Sequence, residues 1–253
     1  MSLPMHLTRA LRALAAGGLA ALVLTLGLAA HAAPLIVLDA GHNPGEGAIS
    51  VQGLKEVVYN DRFVAELAPA LERAGWRVAL TREPGQKLDL AARPALANRL
   101  HADVFLSIHH DSAQLKYLRA IDVGGVSAWE TTQSISGPSL YVSRENPRFD
   151  ASLQLATRLG ERLHTMGRAP NLMHAEPIQG ENHPLLDHDL GIYEYNRLAV
   201  LRHAKVPAVL LEVGVITDRT DEAWVADAGH RQRMIGQIVQ GLTQYRAEAL
   251  QAK

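Results

Sequence analysis

The sequence predicts an α/β domain: a single, mostly parallel twisted sheet of about six strands, flanked by helices on both faces. Three observations carry this. Short apolar runs at residues 35–39, 76–81 and 103–109 alternate with helical patterns at 56–74 and 88–100. The links between them are short, and a β-α-β-α-β order with short links favours parallel strands joined by crossover helices. The first and third runs, and a later one at 207–213, carry or closely precede ionisable side chains at their ends, as strands do where open α/β sheets build sites at their carboxyl ends.

The elements follow in order. A Gly- and Pro-rich loop (Gly41, Pro44, Gly45, Gly47, Gly53) leads from the first strand to a helix whose Val57, Val64, Leu67 and Leu71 share one face. Gly75 suits its C-terminal end. After the second strand, Pro84-Gly85 marks a turn, and Leu88, Ala92, Leu96 and Leu100 recur at helical spacing. Residues 111–137 read as irregular and polar, with Gly124-Gly125 inside. A short strand at 139–143, a helix at 151–166, a second long loop at 167–190 and a short helix at 195–204 precede the strand at 207–213. A helix over 230–249 closes the chain, with Ile235, Ile238, Val239 and Leu242 inward.

Residues 1–32 stand apart as a secretory signal peptide. Arg9 and Arg12 precede an uncharged apolar stretch, and Ala30-His31-Ala32 is a small-x-small pattern that places cleavage after Ala32. An uncleaved anchor is the alternative, but Gly17, Gly18 and Gly27 interrupt the stretch. No later segment is long and apolar enough to span a membrane. Residues 33–253 are expected to form one catalytic domain. They carry 23 basic and 26 acidic side chains, a balance that suits neither nucleic acid nor an anionic membrane surface as partner. Cysteine is absent, so any metal is held by imidazole and carboxylate.

Four residues gather the chemistry: His42 and His109 at strand ends, Glu56 at a helix start and Glu212 after the run 207–211. Two His and a Glu make a catalytic zinc set, and a further Glu can act as base. The pattern therefore reads as a zinc-dependent hydrolase. Each residue has a plainer reading alone: a solvated loop His, a Glu favoured by the helix dipole, a structural ion pair. Strand alternation puts His109 and His110 on opposite faces, so only one of them faces the site. Asp111 is placed to orient a ligating imidazole. Burial of Glu212 at the end of an interior strand raises its pKa toward a useful range. His174, His183 and His188 are read as surface residues rather than metal ligands, and Trp129 and Tyr141 as core packing, with the lining of a sugar or peptide groove as the alternative.

The chain resembles the zinc-dependent N-acetylmuramoyl-L-alanine amidases of the type-3 class. The matching stretches are Ile36-Val37-Leu38-Asp39-Ala40-Gly41-His42, Lys55-Glu56 with Asn60, Leu80-Thr81-Arg82, and Leu90-Ala91-Ala92-Arg93 with Asn98. Phe105-Leu106-Ser107-Ile108-His109, Leu198-Ala199-Val200-Leu201-Arg202 and Pro207-Ala208-Val209-Leu210-Leu211-Glu212-Val213-Gly214 complete the set. This resemblance implies His42, Glu56 and His109 as zinc ligands, with His109 preferred to His110 because it directly follows the Ser-Ile pair. It implies Glu212 as the catalytic base, and the amide between N-acetylmuramic acid and L-alanine of the stem peptide as the bond cut. It also implies peptidoglycan or muropeptide as substrate, room for a protein activator, and a periplasmic setting. Two departures stand out: Asn43-Pro44 where a Gly often follows the first His, and His110-Asp111 in place of Ala-Asn. The alternatives are a zinc carboxypeptidase acting on wall peptides and a catalytically silent wall-binding or regulatory protein. Residues 111–137 are positioned to cover the metal as a lid.

Overall fold

The computed structural model describes residues 33–251. The expected signal peptide, residues 1–32, lies outside the described residues. The chain begins with β1 (Leu35–Ala40), α1 (Glu56–Arg73), β2 (Arg77–Leu80), α2 (Ala92–Arg99) and β3 (Val104–Asp111). It continues through β4 (Leu118–Val123), β5 (Val126–Thr131), β6 (Ser139–Val142), α3 (Phe149–His164), β7 (Leu185–Asp187) and β8 (Ile192–Glu194). The last elements are α4 (Ala199–Arg202), β9 (Ala208–Val215), α5 (Arg219–Ala226) and α6 (Ala228–Gln251).

Seven strands form one sheet in the order β2-β1-β3-β9-β6-β8-β7. The first four are mutually parallel. β6 then runs against β9, β8 runs parallel to β6, and β7 runs against β8. The sheet is thus mixed and one strand larger than expected, with its parallel half and its reversed half meeting at β9.

Both faces are covered, which is why β1, β3 and β9 are almost continuously apolar. Ile36, Leu38, Leu106, Ile108, Leu211 and Val213 pack on the side that also receives Phe63, Leu67 and Leu71 of α1 and Leu155 and Leu159 of α3. Ile238 and Leu242 of α6 join them there. Val37, Phe105, Leu210, Tyr141 and Tyr193 face Ala97 of α2 and Val200 and Leu201 of α4. Fully burying each such large side chain contributes about 1.5–3 kcal/mol.

Residues 111–137 depart most from expectation. They hold a 3-10 turn (Leu115–Tyr117) and an antiparallel ribbon of β4 and β5, with Val123 opposite Val126. Gly124 and Gly125 form its two-residue turn with φ of 61° and 88°, values that suit glycine. β7 falls in the stretch read as loop, β8 lies between that loop and the next expected helix, and the helix expected at 195–204 shortens to α4. α5 was not anticipated. Asp218 caps it, accepting from the backbone N–H of Thr220 (2.9 Å) and Asp221 (3.0 Å). Among the described residues, no helix is long and apolar enough to cross a membrane.

Candidate metal centre

Three elements deliver three donors to one point. His42 follows the end of β1, Glu56 is the first residue of α1, and His109 lies on β3. His42 Nε2 lies 2.9 Å from Glu56 Oε2, and His109 Nδ1 lies 3.0 Å from Glu56 Oε1. The donor atoms of the three all fall within 4.8 Å of one another. A tetrahedral zinc with bonds of about 2.0–2.1 Å holds its ligand atoms about 3.4 Å apart. Two imidazoles, one carboxylate and this spacing therefore fit that ion. His110, one residue on, turns to the opposite face and does not join the cluster.

The surroundings explain why the donors stay in place. Glu56 is buried, and its Oε1 also accepts from Asn60 Nδ2 (3.1 Å) and the His110 backbone N–H (3.2 Å). Burial alone would raise its pKa. The hydrogen bonds and charge of His109 and His42 outweigh that and hold it well below the usual carboxylate range. Asn60 Oδ1 lies 2.8 Å from His110 Nδ1, which locks the other face of this corner. Burial pushes the His110 imidazole down to about 3.

The turn carrying His42 is clamped from below. His42 adopts φ 66°, left-handed for a residue with a side chain. Its carbonyl accepts from Arg82 Nε (2.9 Å) and Arg93 Nη2 (2.7 Å). Arg93 Nη1 also reaches the Ala40 carbonyl and Asp39 Oδ1, both at 2.8 Å. Asp39 is fully buried yet satisfied, because Thr81 and Ser107 hydroxyls donate to it as well. Gly41 is required by close approach: a Cβ there would lie 2.2 Å from His109 Nε2.

Glu212 stands beside His109 in the paired strands β3 and β9. Its Oε2 is sealed from solvent and, among the described residues, has no hydrogen-bond partner. Burial, followed by the charges of Asp111 and Glu56, pushes its pKa well above the usual range. A carboxylate with raised proton affinity beside a cation-binding cluster is suited to accept a proton and return it.

Several expectations need correction. Asp111 does not orient His109. Its Oδ2 lies 2.8 Å from His174 Nε2 and accepts from Asn171 Nδ2 at 3.1 Å. His174 and His183 are half-buried rather than surface residues, whereas His188 is exposed. Tyr141 is buried as expected, but Trp129 is 43% exposed on the ribbon. Arg82, Arg93 and Asp39 carry no role in the sequence reading, although all three fall within the matching stretches; in the fold both arginines are nearly buried, at 4% and 2% exposure. Asn98 is structural: it joins α2 to the turn after α4 through the His203 carbonyl and the Lys205 N–H.

Comparison with known proteins gives a consistent picture. The N-acetylmuramoyl-L-alanine amidase family profile matches residues 36–244. A curated relative, the probable cell wall amidase LytH of Staphylococcus saprophyticus, is 29% identical over 216 residues, covering 84% of this chain and 58% of that protein. The chain thus spans little more than half the length of the curated relatives it matches. Among solved structures, the N-acetylmuramyl-L-alanine amidase Ami1 of Mycobacterium smegmatis matches 86% of this chain and 98% of its own, with TM-score 0.69 at 20% identity. The catalytic domain of CwlV, an N-acetylmuramoyl-L-alanine amidase from Bacillus (Paenibacillus) polymyxa var. colistinus, matches 85% and 98%, with TM-score 0.64 at 25% identity. The CwlD amidase of Clostridioides difficile, solved in complex with the GerS lipoprotein, matches 85% and 98%, with TM-score 0.63 at 18% identity.

Proposed function

The chain belongs to the N-acetylmuramoyl-L-alanine amidase family, and from that premise we propose that it is a zinc-dependent peptidoglycan amidase. Its substrate is the amide between the lactyl group of N-acetylmuramic acid and L-alanine of the stem peptide. The observation that carries this reading is the convergence of His42, Glu56 and His109 donors within 4.8 Å, with the Glu212 carboxylate, its Oε2 buried, on the adjoining strand.

His42, Glu56 and His109 hold the zinc. When bound, the ion supplies Lewis acidity and lowers the pKa of water. The protein's own residues do the rest. Glu212 takes the proton of the attacking water and passes it to the departing amine. Arg82 and Arg93 keep the His42 turn from relaxing, and Asn60 holds Glu56 in register with both imidazoles. Placing reacting groups on rigid strand ends lowers the entropic part of the barrier.

The active protein is exported, and the periplasm is its site of action. Support comes from the basic, apolar and small-x-small order of residues 1–32 together with the wall substrate. A protein activator is part of the reading, because a structural neighbour, CwlD, was solved with a lipoprotein partner.

Mass spectrometry of muropeptides digested by the purified chain tests the proposal. Release of intact stem peptide from the sugar, lost on chelation and restored by zinc, is the expected result. Trimming of the peptide's far end would indicate a carboxypeptidase. Undigested wall at full zinc content would indicate a silent binding protein.

A further inference from the structure

Beyond Glu212 the sheet carries polar and aromatic side chains that the hydrolytic scheme leaves without a task. Asp111 leaves β3 and meets His174 Nε2 at 2.8 Å. Among the described residues, His174 Nδ1 has no hydrogen-bond partner, and the His174 side chain keeps 16% of its surface exposed. Its ring meets Tyr141 and Tyr193 edge-on, at 6.0 and 6.2 Å between centroids, and those two tyrosines stack at 5.2 Å. His183 closes the group, 6.1 Å from His174 and 3.9 Å from the Tyr195 ring. A half-buried aspartate–imidazole pair adds little stability that apolar packing would not supply. Its placement therefore asks for another reason.

The imidazole is biased toward its charged form. Burial works against protonation, but the charge and hydrogen bond of Asp111 outweigh it and raise the His174 pKa. With Nε2–H donating to Asp111, the charged ring presents a second N–H at Nδ1, whereas the neutral ring presents an acceptor there. When protonated, the group is a cationic donor beside an aromatic floor.

Sheet order says what reaches it. The metal ligands gather at the ends of β1 and β3 and the start of α1, β9 carries the base, and β6 with Tyr141 comes next. Adjacent strands lie about 4.8 Å apart, and an extended peptide advances about 3.3 Å per residue. Glu212 is assigned to the departing amine, and β6 is the next strand beyond β9, so a peptide leaving across the sheet toward β6 passes the Asp111–His174 pair beside Tyr141 within its first residues.

The inference rests on the amidase reading above. We propose that the Asp111–His174 pair, set over Tyr141, is a subsite for a carboxylate on the residue that follows L-alanine in the departing peptide. His174 donates from Nδ1 to that carboxylate, and a carboxamide at the same position loses the charge-assisted bond.

Two synthetic muramoyl dipeptides, differing only in carboxylate or carboxamide on the second residue, test this with the zinc-loaded full chain. The expected kcat/KM favours the carboxylate by about tenfold. In His174→Gln, folding checked by circular dichroism, the preference falls toward unity through KM. Equal rates on both substrates by the unaltered protein, a preference for the carboxamide, or an undiminished preference in His174→Gln would overturn the subsite. The preference of the unaltered protein decides the matter even where the variant fails to fold. No cleavage of either substrate would instead remove the amidase reading, and this inference with it. Cleavage without discrimination would remove the subsite alone.

Discussion

The two halves of the sheet are built for different tasks. In the parallel half, β2, β1, β3 and β9 are locked by paired registers, and the site's polar groups are held by several partners each: Glu56 by His42, His109, Asn60 and backbone amides, and the His42 carbonyl by two guanidinium groups. In the reversed half, β6, β8 and β7 are only four, three and three residues long, and long connections lie around them. The first half is a preorganised donor array whose geometry tolerates little change. The second is a wall of short strands beside it, held by fewer paired positions. The proposed chemistry and the proposed subsite thus fall on neighbouring strands of one sheet under separate structural constraints.

Substitutions can break or sharpen this contrast. The largest effect is expected at the junction strand. Glu212→Gln removes the proton acceptor while leaving His42, Glu56 and His109 in place, so turnover should fall about 10²–10⁴-fold at unchanged zinc stoichiometry. Elemental analysis alongside rate measurements checks this, and a variant that turns over normally would exclude Glu212 as base. Next comes Arg93→Ala. It strips a buried partner from Asp39 and should cost about 3–5 kcal/mol in denaturant unfolding. A loss below 1 kcal/mol would mean the clamp is not part of the rigid half. Third, Gly41→Ala forces a Cβ to within 2.2 Å of where His109 Nε2 lies, so His109 must move. Zinc affinity should drop about 10–100-fold with secondary structure intact, as seen by isothermal titration.

The smallest effect belongs to the reversed half. Burial, and the nearby charge of His174, lower His183 from 6.5 to about 4. Between those values the unfolded chain binds the proton and the folded chain resists it. His183 therefore contributes stability above pH 6.5 that is lost as pH falls toward 4. His183→Gln should flatten that part of the stability profile slightly, since the ring is half exposed. An identical pH slope in both proteins would count against a buried neutral imidazole.

What the sequence made legible follows the same division. β1, β3 and β9 are covered on both faces, so each reads as an apolar run ending in an ionisable residue, and His42, Glu56, His109 and Glu212 could be picked out together. His109 could be separated from His110 only by resemblance, because alternation says the two diverge but not which one faces the site. The reversed strands were less visible. A three-residue strand has no period to detect, and β7 and β8 owe their form to pairing with each other and with β6. The ribbon did leave a mark, Gly124-Gly125 between alternating segments, which is a hairpin signal that had been read as plain loop. Asp218, three residues before Asp221, was likewise a readable helix cap. The Asp111–His174 pair had no local signal: the two residues are 63 positions apart and meet only because residues 167–190 fold back over β6.

The reversal of β6 also decides which connections border the reaction. In the parallel strands the chain leaves the sheet at the catalytic rim. At β6 it arrives there, since Ser139, the first residue of the strand, is the one opposite Glu212. Residues 132–138 therefore enter the sheet at the rim beside Glu212, while residues 143–148 turn at the far rim, where Asn146 donates to the Val206 carbonyl. Lengthening the upstream segment is expected to alter the approach to Glu212 more than the same edit downstream. One antiparallel junction thus sets the two connections of β6 at opposite ends of the sheet, with one of them at Glu212's doorstep.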